Sequence, residues 1–191
     1  QEKDAEGFQL VREDGDIRIY ERWIIFPKSN PPIKAREVKG DWFVSASLED
    51  AAAMLGDEKK ITQWQDHVTE FKVYPQNDTV WFEYSYHDIP WPVSDQDHFL
   101  EYNLKEKNPN ELFITFESKV NNLLAPVREG VTRMQLSGSW RLTQVNSQKV
   151  KVSYRILSKP IGIPRIFTDP VIRNNLMSTI KAYTKVLEGA K

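Results

Sequence analysis

Three histidines and their acidic neighbours are the residues of this sequence whose types suggest metal binding or catalysis. His67, His87 and His98 share the segment 66–98 with several aspartates. Imidazole and carboxylate groups suit zinc, but no HxH or HExxH spacing is present, and Asp and His beside prolines are typical of turns. A GxSxG elbow for a serine nucleophile is also missing. We therefore expect no metal site, no cofactor and no catalytic residue.

Composition indicates one domain with a substantial core. The chain has 191 residues, of which 40% are apolar, and it contains no cysteine, which excludes disulfides and thiolate chemistry. Lys and Arg number 26 against 27 for Asp and Glu, so a basic face for nucleic acid has little support. No apolar run approaches the roughly 20 residues that cross a bilayer. We expect a monomer with a single domain over residues 1–191, in which residues 1–7 form a disordered or short N-terminal segment.

The start of the chain suggests export. Gln1 stands where a methionine would open a complete reading frame, and a polar stretch follows it. A signal peptide removed before Gln1 would explain this, as would a trimmed chain. We expect an exported protein, periplasmic or secreted, with a cytoplasmic location as the open alternative.

Alternation of apolar and polar residues predicts strands along most of the chain. A turn signal at Glu13–Asp16 separates the β-rich runs Phe8–Arg12 and Ile17–Phe26, which predicts a hairpin. The clearest alternation lies in Thr132–Leu142 and Val150–Leu157. Further strands are predicted at Ala35–Val44, Phe71–Tyr74, Val80–Tyr86, Phe99–Leu104 and Leu112–Glu117.

Helical signals are few, and the strongest comes last. Ser47 opens a short Ala-rich helix that runs through Leu55, and a second helix is predicted at Glu58–Gln65. The longest helix starts at Pro164 within the stretch Pro160–Glu188. A lone long amphipathic helix must bury its apolar stripe against the sheet, so we expect an α+β fold in which eight or nine antiparallel strands curve around the C-terminal helix. The stripe comprises Ile172, Leu176, Ile180, Tyr183 and Leu187.

Four segments, in the right order, resemble motifs of START domains, the lipid-transfer modules related to the steroidogenic acute regulatory protein. Ile89–Phe99 resembles their PxPxSxRDF segment, and Trp64–Glu70 is similar to WDxxVxE. Val127–Arg133, with Gly138–Trp140, resembles the stretch after the family's Ω-loop, and Ile163–Phe167 resembles the IPxWL start of the final helix. The chain thus resembles a stand-alone bacterial member of this helix-grip, Bet v 1-like superfamily.

Three departures from the family pattern accompany the resemblance. Gln96 stands where the family usually has Arg, and Gln65 stands where it has Asp. Ser158–Gly162 replaces the common DPGG before the final helix. A charge contact at position 96 is therefore not expected, whereas the prolines, Asp97 and the strand pattern leave the predicted fold unchanged.

The resemblance implies a single lipid held in a tunnel between the sheet and the last helix. A chain of about 15 methylenes gains roughly 12 kcal/mol by leaving water, so a carrier needs a closed apolar cavity to compete with a bilayer. The partner would be a sterol, a phospholipid, a fatty acid or another isoprenoid or polyketide, taken up during transient contact with a membrane. The sequence does not discriminate among these ligands.

Strand parity and the resemblance together give candidate cavity walls. The resemblance places Glu83 and Tyr102 where several START proteins carry a buried acid and arginine, which makes them the expected polar pair for a ligand head group. The alternative is that Glu83 faces solvent, because Phe82, Tyr84 and Tyr86 have the opposite parity and are better core residues. The predicted cavity residues are Glu83, Leu100, Tyr102, Ile114, Phe116, Met134, Leu136, Trp140, Val152, Tyr154, Ile156, Phe167, Ile172, Leu176 and Ile180.

Two segments are candidates for a gate. Leu123 and Leu124 lie where START domains have their Ω-loop and would form a lid, or else a small satellite cluster under a loop. Ile163, Ile166 and Phe167 would form the other side. Asp169–Pro170 follows closely, so either the helix bends there and frees its first segment, or Asp169 is the N-cap of a helix that begins at Pro170.

Two other functions remain open at this stage. Relatives with the helix-grip fold include cyclases and hydrolases, so an enzyme that acts on a hydrophobic substrate is the first alternative, with Glu83 or His98 as its acid or base. A lipid sensor or partner-binding module is the second.

Overall fold

The computed structural model describes residues 2–163 and 165–189, except for the side chain of Phe167. Helices α1 and α2 span Leu48–Ala53 and Ile61–Trp64, a 3₁₀ turn at Met54–Gly56 lies between them, and α3 spans Arg165–Gly189. The strands are β1 Gln9–Asp14, β2 Ile17–Ile25, β3 Lys34–Val44, β4 Val68–Pro75, β5 Val80–His87, β6 Gln96–Asn108, β7 Glu111–Ser118, β8 Thr132–Arg133, β9 Leu136–Asn146 and β10 Lys149–Ser158.

Nine of these strands form one antiparallel sheet, and α3 lies across its concave face. The strand order is β1-β2-β3-β10-β9-β7-β6-β5-β4, and the short β8 pairs in parallel with β6. The long helix contacts β2, β3 and α2. This arrangement confirms the predicted helix-grip class, with a curved sheet around a terminal helix. No helix in the described part of the chain is long and apolar enough to cross a bilayer.

The predicted strand Thr132–Leu142 is in fact two strands. Thr132 and Arg133 pair with the start of β6, whereas Leu136 onward pairs with β10 and β7. Because β7 lies between β6 and β9 in the sheet, the chain must pass the end of β7 at Met134 and Gln135. Met134 donates its N–H to the carbonyl of Asp97 during this crossing, at 2.8 Å.

The early helices differ in length from their predictions. Ser47 caps α1 as expected, because its hydroxyl accepts the N–H of Asp50 at 3.1 Å. The predicted helix Glu58–Gln65 is reduced to the single turn of α2. The carbonyl of Asp57 accepts the N–H groups of Lys60 and Ile61 at 3.0 Å, which keeps the preceding residues in a turn, and Gln65 is already extended.

The final helix continues through its internal proline. Residues 165–189 are helical and Pro170 lies inside them, so of the two alternatives left open by the sequence, the helix that begins at Pro170 with Asp169 as its N-cap is wrong. The carboxylate of Asp169 instead contacts arginines on the sheet and on its own helix. The predicted first residue, Pro164, falls outside the described residues.

Two glycines allow the sheet to curve and the helix to approach it. A methyl group on Gly40 of β3 would lie 2.8 Å from the Cδ1 atom of Ile180 in α3. A methyl group on Gly138 of β9 would lie 2.0 Å from the carbonyl oxygen of Arg155 and 2.5 Å from the ring of Phe116. Both positions therefore require the absence of a side chain.

The C-terminal half of α3 is fixed by an aromatic cluster. Tyr183 lies between Trp42 and Trp64, with ring centroids at 5.8 and 5.2 Å, and its hydroxyl donates to the carbonyl of Ala51 at 2.6 Å. Trp140 packs against Trp42 edge to face at 6.1 Å. Such pairs add about 0.5–1.5 kcal/mol each beyond their buried area, so this end of the helix is firmly held.

The outer, convex face of the sheet is partly covered by the start of the chain. Phe8 is buried beneath the cationic groups of Arg22, Lys39 and Arg155. Glu6 forms two bonds with Arg155, at 2.6 and 2.9 Å. Most of this covering is therefore ionic, as expected for a surface that stays partly exposed to water.

Four connections share one end of the sheet, which we call the upper end. They are residues 26–33, 88–95, 119–131 and 159–163, and the first turns of α3 lie beside them. The exposed large apolar side chains concentrate here, and among the described residues only Val145 lies at the opposite end. Those at the upper end are Ile25, Trp91, Val120, Leu123, Val127, Ile161, Ile166 and Val171.

We expect Gly138→Ala to destabilise the protein far more than Gly40→Ala. The new methyl at position 138 would meet a backbone oxygen that cannot move, with a cost of at least about 3 kcal/mol, whereas the end of the Ile180 side chain can shift for about 1 kcal/mol. Urea unfolding of both variants measures the difference. Equal losses of unfolding free energy would show that the curvature does not depend on Gly138.

Candidate functional site

The inner face of the sheet and α3 enclose the predicted cavity residues. Their apolar side chains belong to the main core cluster or pack against it, and the side chain of Phe167 lies outside the described residues. Most of the set is fully buried, but four members that face the same interior keep part of their surface accessible. These are Met134, Tyr154, Ile156 and Ile172. Their residual exposure indicates that space for small molecules adjoins these four side chains.

Glu83 points into this interior, so the alternative that it faces solvent is wrong. It is 5% exposed, and its Oε1 atom lies 2.9 Å from Nε2 of His98 and accepts the hydroxyl of Tyr102 at 3.4 Å. Its neighbours Phe82 and Tyr84 belong to the opposite face, in a second small cluster. Both faces of β5 are covered, which is why apolar preference alone could not decide the orientation.

A buried polar chain therefore crosses the inner face of β5 and β6. Beside His98, the ring of His87 lies 5.3 Å away, and Nε2 of His87 is 3.0 Å from the hydroxyl of Ser85. Burial and the nearby imidazole of His98 lower the pKa of His87 to about 3, so it is neutral at pH 7. Burial, reinforced by the carboxylate of Glu83, raises the pKa of Tyr102 well above its usual value, which keeps its hydroxyl a donor.

Glu83 has spare hydrogen-bonding capacity in this arrangement. Both of its contacts use Oε1, and Oε2 has no partner within the described part of the chain. A carboxylate accepts several hydrogen bonds, so Glu83 retains the capacity to accept more at Oε2. The free oxygen can accept a hydroxyl or amide proton from a bound molecule.

An aromatic belt adjoins the polar chain. Trp81 stacks on Tyr102 with ring centroids 5.2 Å apart, and Tyr102 meets Phe116 at the same separation. Tyr154 continues the belt toward Trp140, on which it stacks at 4.2 Å. The interior thus presents flat apolar surfaces beside one carboxylate.

Asp97, the acid of the PxPxSxRDF-like segment, has a structural role. It is 1% exposed, and Arg133 binds its two carboxylate oxygens at 2.6 and 2.9 Å. The hydroxyl of Tyr84 donates to the same group at 3.0 Å, and Arg133 also donates to the carbonyl of Ala125. Through Arg133, Asp97 therefore connects the start of β6 to the loop at 119–131. Arg133 belongs to a second family-like segment, and nothing in the sequence indicates that it pairs with Asp97.

The structure separates the two leucines of the predicted lid. Leu124 packs with Tyr84 and Phe99 on the outer face, which is the satellite cluster left open by the sequence, whereas Leu123 is 95% exposed. A cleft of ≈ 440 Å³ lies beside this loop, and Arg128 crosses it to bind Glu70 at 2.7 and 2.8 Å.

The other predicted gate residues lie at the start of α3. Ile163 is half-buried and Ile166 is 78% exposed. An ionic network, which the sequence did not reveal, attaches this part of the helix to β2 and β3. Asp169 binds Arg36 and also Arg165, the latter at 3.2 Å. Burial would raise the pKa of Asp169, but these hydrogen bonds outweigh burial and lower it.

The histidines do not assemble a metal site. His67 is exposed with a positive φ of 69°, and it takes no part in the polar chain of His87 and His98. The described residues contain no group of three or more His, Asp or Glu side chains arranged to hold a metal ion.

We expect replacement of His87 to remove part of the protein's sensitivity to acid. The unfolded chain takes up a proton near pH 6.5 while folded His87 stays neutral down to about pH 3, so the free energy of unfolding falls as pH drops through this window, by up to about 1.4 kcal/mol per pH unit. Between pH 7 and 5, His87→Asn should flatten this slope in urea unfolding.

The control for that measurement is His67→Asn. Position 67 is exposed, and its positive φ suits asparagine, so this variant should keep the slope of the parent protein. Parallel pH profiles for His87→Asn and the parent would contradict a buried neutral His87.

Comparison with known proteins places the fold. No protein-family model matches the sequence. An uncharacterized protein of Pseudomonas aeruginosa is 23% identical over 186 residues, which are 96% of this chain and 88% of the relative.

Solved structures are more informative. The STAR-related lipid transfer protein of Xanthomonas axonopodis, as fragment 25–204, has a TM-score of 0.78 and 24% identity over 95% of this chain and 98% of its own. Human StAR-related lipid transfer protein 5 also gives 0.78, with 14% identity over 97% and 88% of the two chains. The ZhuI aromatase/cyclase of Streptomyces sp. R1128 gives 0.59, with 12% identity over 81% and 94%. The chain has the helix-grip fold of START lipid-transfer domains.

Proposed function

We propose that this protein binds one amphipathic lipid between its sheet and α3, and carries or presents it. The observation that carries the proposal is the buried carboxylate of Glu83, which faces an aromatic-lined interior with an oxygen left free for another donor. Open space beside Tyr154 and Met134 would receive the apolar part of the ligand.

The wall of the interior around Glu83 favours a hydrogen-bond donor on a ligand with a large apolar body. Each methylene moved from water into such a site contributes about 0.8 kcal/mol, so the apolar body supplies most of the affinity. The single acceptor at Glu83 would orient the ligand, because a donor buried elsewhere in the belt would remain unpaired. A sterol or a fatty alcohol fits this description, as does a polyketide.

The upper end of the sheet is the proposed route of entry and the proposed contact with a membrane. Trp91, Leu123 and Val127 are exposed there by 70% or more. Exposed apolar side chains gathered at one end suit brief insertion into a lipid surface. Ile166, on the adjoining turn of α3, extends the same surface.

An enzyme that acts on a hydrophobic substrate is the second candidate. The specific observation in its favour is the contact of 2.9 Å between Glu83 and His98, a buried acid–base pair next to the tyrosine hydroxyl of Tyr102. Such a trio could move a proton on a bound polyketide or ester. The two candidates differ in outcome, because a carrier returns its ligand unchanged.

We expect protein purified without detergent to carry one lipid per chain, identified by native mass spectrometry and extraction. The delipidated protein should move a fluorescent sterol or phospholipid between vesicles. A protein that is empty and transfers no lipid would contradict the carrier, and a ligand recovered in chemically altered form would favour the enzyme.

Replacement of Glu83 tests the proposed acceptor. The parent protein should prefer oleyl alcohol to its methyl ether, which lacks the donor, and Glu83→Gln should reduce that preference about tenfold. The control is Glu117→Gln, on the exposed outer face of β7, which should leave the preference unchanged. Equal preferences in all three proteins would remove Glu83 from the ligand site.

The start of α3 should be the more mobile part of the helix. Amide hydrogen exchange is expected to be much faster for residues 165–168 than for Leu176–Tyr183, because Ile166 is exposed while Ile180 and Tyr183 are fully buried. Equal protection of the two segments, measured by mass spectrometry of peptides, would exclude the first turn as the gate.

A further inference from the structure

A second buried polar group faces the interior, and it is cationic. Arg36 of β3 is 6% exposed and shares its face of the strand with Val38 and Trp42, which belong to the core under α3. Its guanidinium lies over the ring of Trp23 at 5.0 Å. An arginine is rarely buried in this way unless acceptors surround it.

The acceptors around Arg36 do not satisfy it. Its Nη2 atom binds Asp169, but Nη1 is buried without a hydrogen-bond partner and approaches Glu21 only to 3.5 Å. Both oxygens of Glu21 are already taken by Arg173, at 2.9 and 3.0 Å. A guanidinium N–H left without an acceptor in a buried site is unfavourable, which points to an acceptor supplied from elsewhere.

The surrounding charges also leave one positive charge unbalanced. Three arginines, Arg36, Arg165 and Arg173, share two carboxylates, those of Glu21 and Asp169. One further negative charge would therefore neutralise the cluster and provide the missing acceptor for Nη1.

Arg36 lies opposite Glu83 across the concave sheet. Arg36 pairs with Ser158 and, through it, with Leu136, whose N–H binds the hydroxyl of Ser118 at 2.8 Å. Ser118 pairs with Leu100, which is the partner of Glu83. The two charged groups thus share one row near the upper end, five strand spacings or about 24 Å apart along the curved sheet.

We propose that Arg36 is the anion-binding end of the interior, and that the protein accepts amphipaths that carry a single negative charge on oxygen. A carboxylate or a phosphodiester beside Nη1 would form the charge-assisted bond that the site lacks. Glu83, on the opposite wall, disfavours an anion and accepts a hydroxyl. An anionic head group would therefore lie at Arg36 and a hydroxyl head group at Glu83. The type of head group would set the direction in which the apolar chain of the ligand lies.

This inference rests on the proposed lipid-binding function and names the ligand class more narrowly. It is tested with oleate and oleyl alcohol, which share one chain and differ in head-group charge, by isothermal titration of delipidated protein. The parent protein should prefer oleate, and Arg36→Gln should lower the ratio of oleate to alcohol affinity about tenfold. Oleoyl lysophosphatidylglycerol, tested in parallel, shows whether a phosphodiester is preferred to a carboxylate.

Two further variants make the result specific. Asp169→Asn removes the anion that competes with the ligand for Arg36, so it should raise the ratio of oleate to alcohol affinity. This change is opposite to that expected for Arg36→Gln, and a loss of folding would not produce it. Arg22→Gln removes one arginine from the outer face of the same sheet, where it binds Glu37 at 2.8 Å, and should leave the ratio unchanged. Arg36→Gln should remain folded because Glu21 and Asp169 keep Arg173 and Arg165 as partners.

The possible failures are distinguishable. If oleate and the alcohol both bind but Arg36→Gln and Asp169→Asn leave their ratio unchanged, the anion site is refuted while lipid binding stands. If neither anionic probe binds better than the alcohol, the anion site is refuted as well. If the parent protein binds none of these lipids, the proposed carrier function itself is refuted.

Discussion

The close contact between α3 and β3 at Gly40 is the constraint on which the arrangement of the interior depends. Ile180 occupies the space that a side chain at position 40 would need, so the C-terminal half of the helix lies directly on the sheet. Tyr183 is thereby inserted between two tryptophans. Toward its N-terminus the same helix is attached by ion pairs to Glu21 and Arg36. The C-terminal half of α3 is therefore held by apolar packing and its N-terminal part by ion pairs. Only the ion-paired part can separate from the sheet at moderate cost in free energy, because water can solvate the charged groups that are released.

The polar groups beneath the helix have consequences for stability as well as for binding. Buried ion pairs contribute little net stability, because the desolvation of both charges opposes their attraction. The interior nevertheless contains Glu83 on one wall and Arg36 on the other, each with an atom that lacks a partner among the described residues. A domain built only for stability would have apolar side chains at both positions. Their retention in a partly open interior agrees with a site that is completed by a ligand.

Much of the fold could be predicted from the sequence because two signals agreed. Period-two alternation located most strands, and the motif order indicated the helix-grip arrangement. The errors have local causes: the chain crosses the end of β7 at Met134, which an alternating pattern does not reveal. At Pro170 the sequence left two alternatives open, and the structure selects the continuous helix, in which the neighbouring Asp169 binds Arg36 of the sheet and Arg165 of the preceding turn.

The candidate site was only partly predictable. Parity correctly placed Tyr102 and Trp140 on the inner face, but it could not orient Glu83, because both faces of β5 are covered. Arg36 has the parity of Val38 and Trp42, so the strand pattern did contain its inward direction. Its charge argued against burial, and Asp169, which accepts its hydrogen bond, is 133 residues distant in sequence. Contacts of that range leave no local signal in a single sequence.

The tryptophans give this molecule a natural set of optical reporters. Trp91 is exposed in an upper connection, Trp23 adjoins the arginine network, and Trp81 and Trp140 border the open interior. Trp42 and Trp64 are buried in the core against Tyr183. Because these environments differ in solvent access, a small quencher and a bound ligand alter different parts of the emission. Single Trp→Phe replacements would therefore assign the changes in emission to surface contact, to gate opening or to filling of the interior.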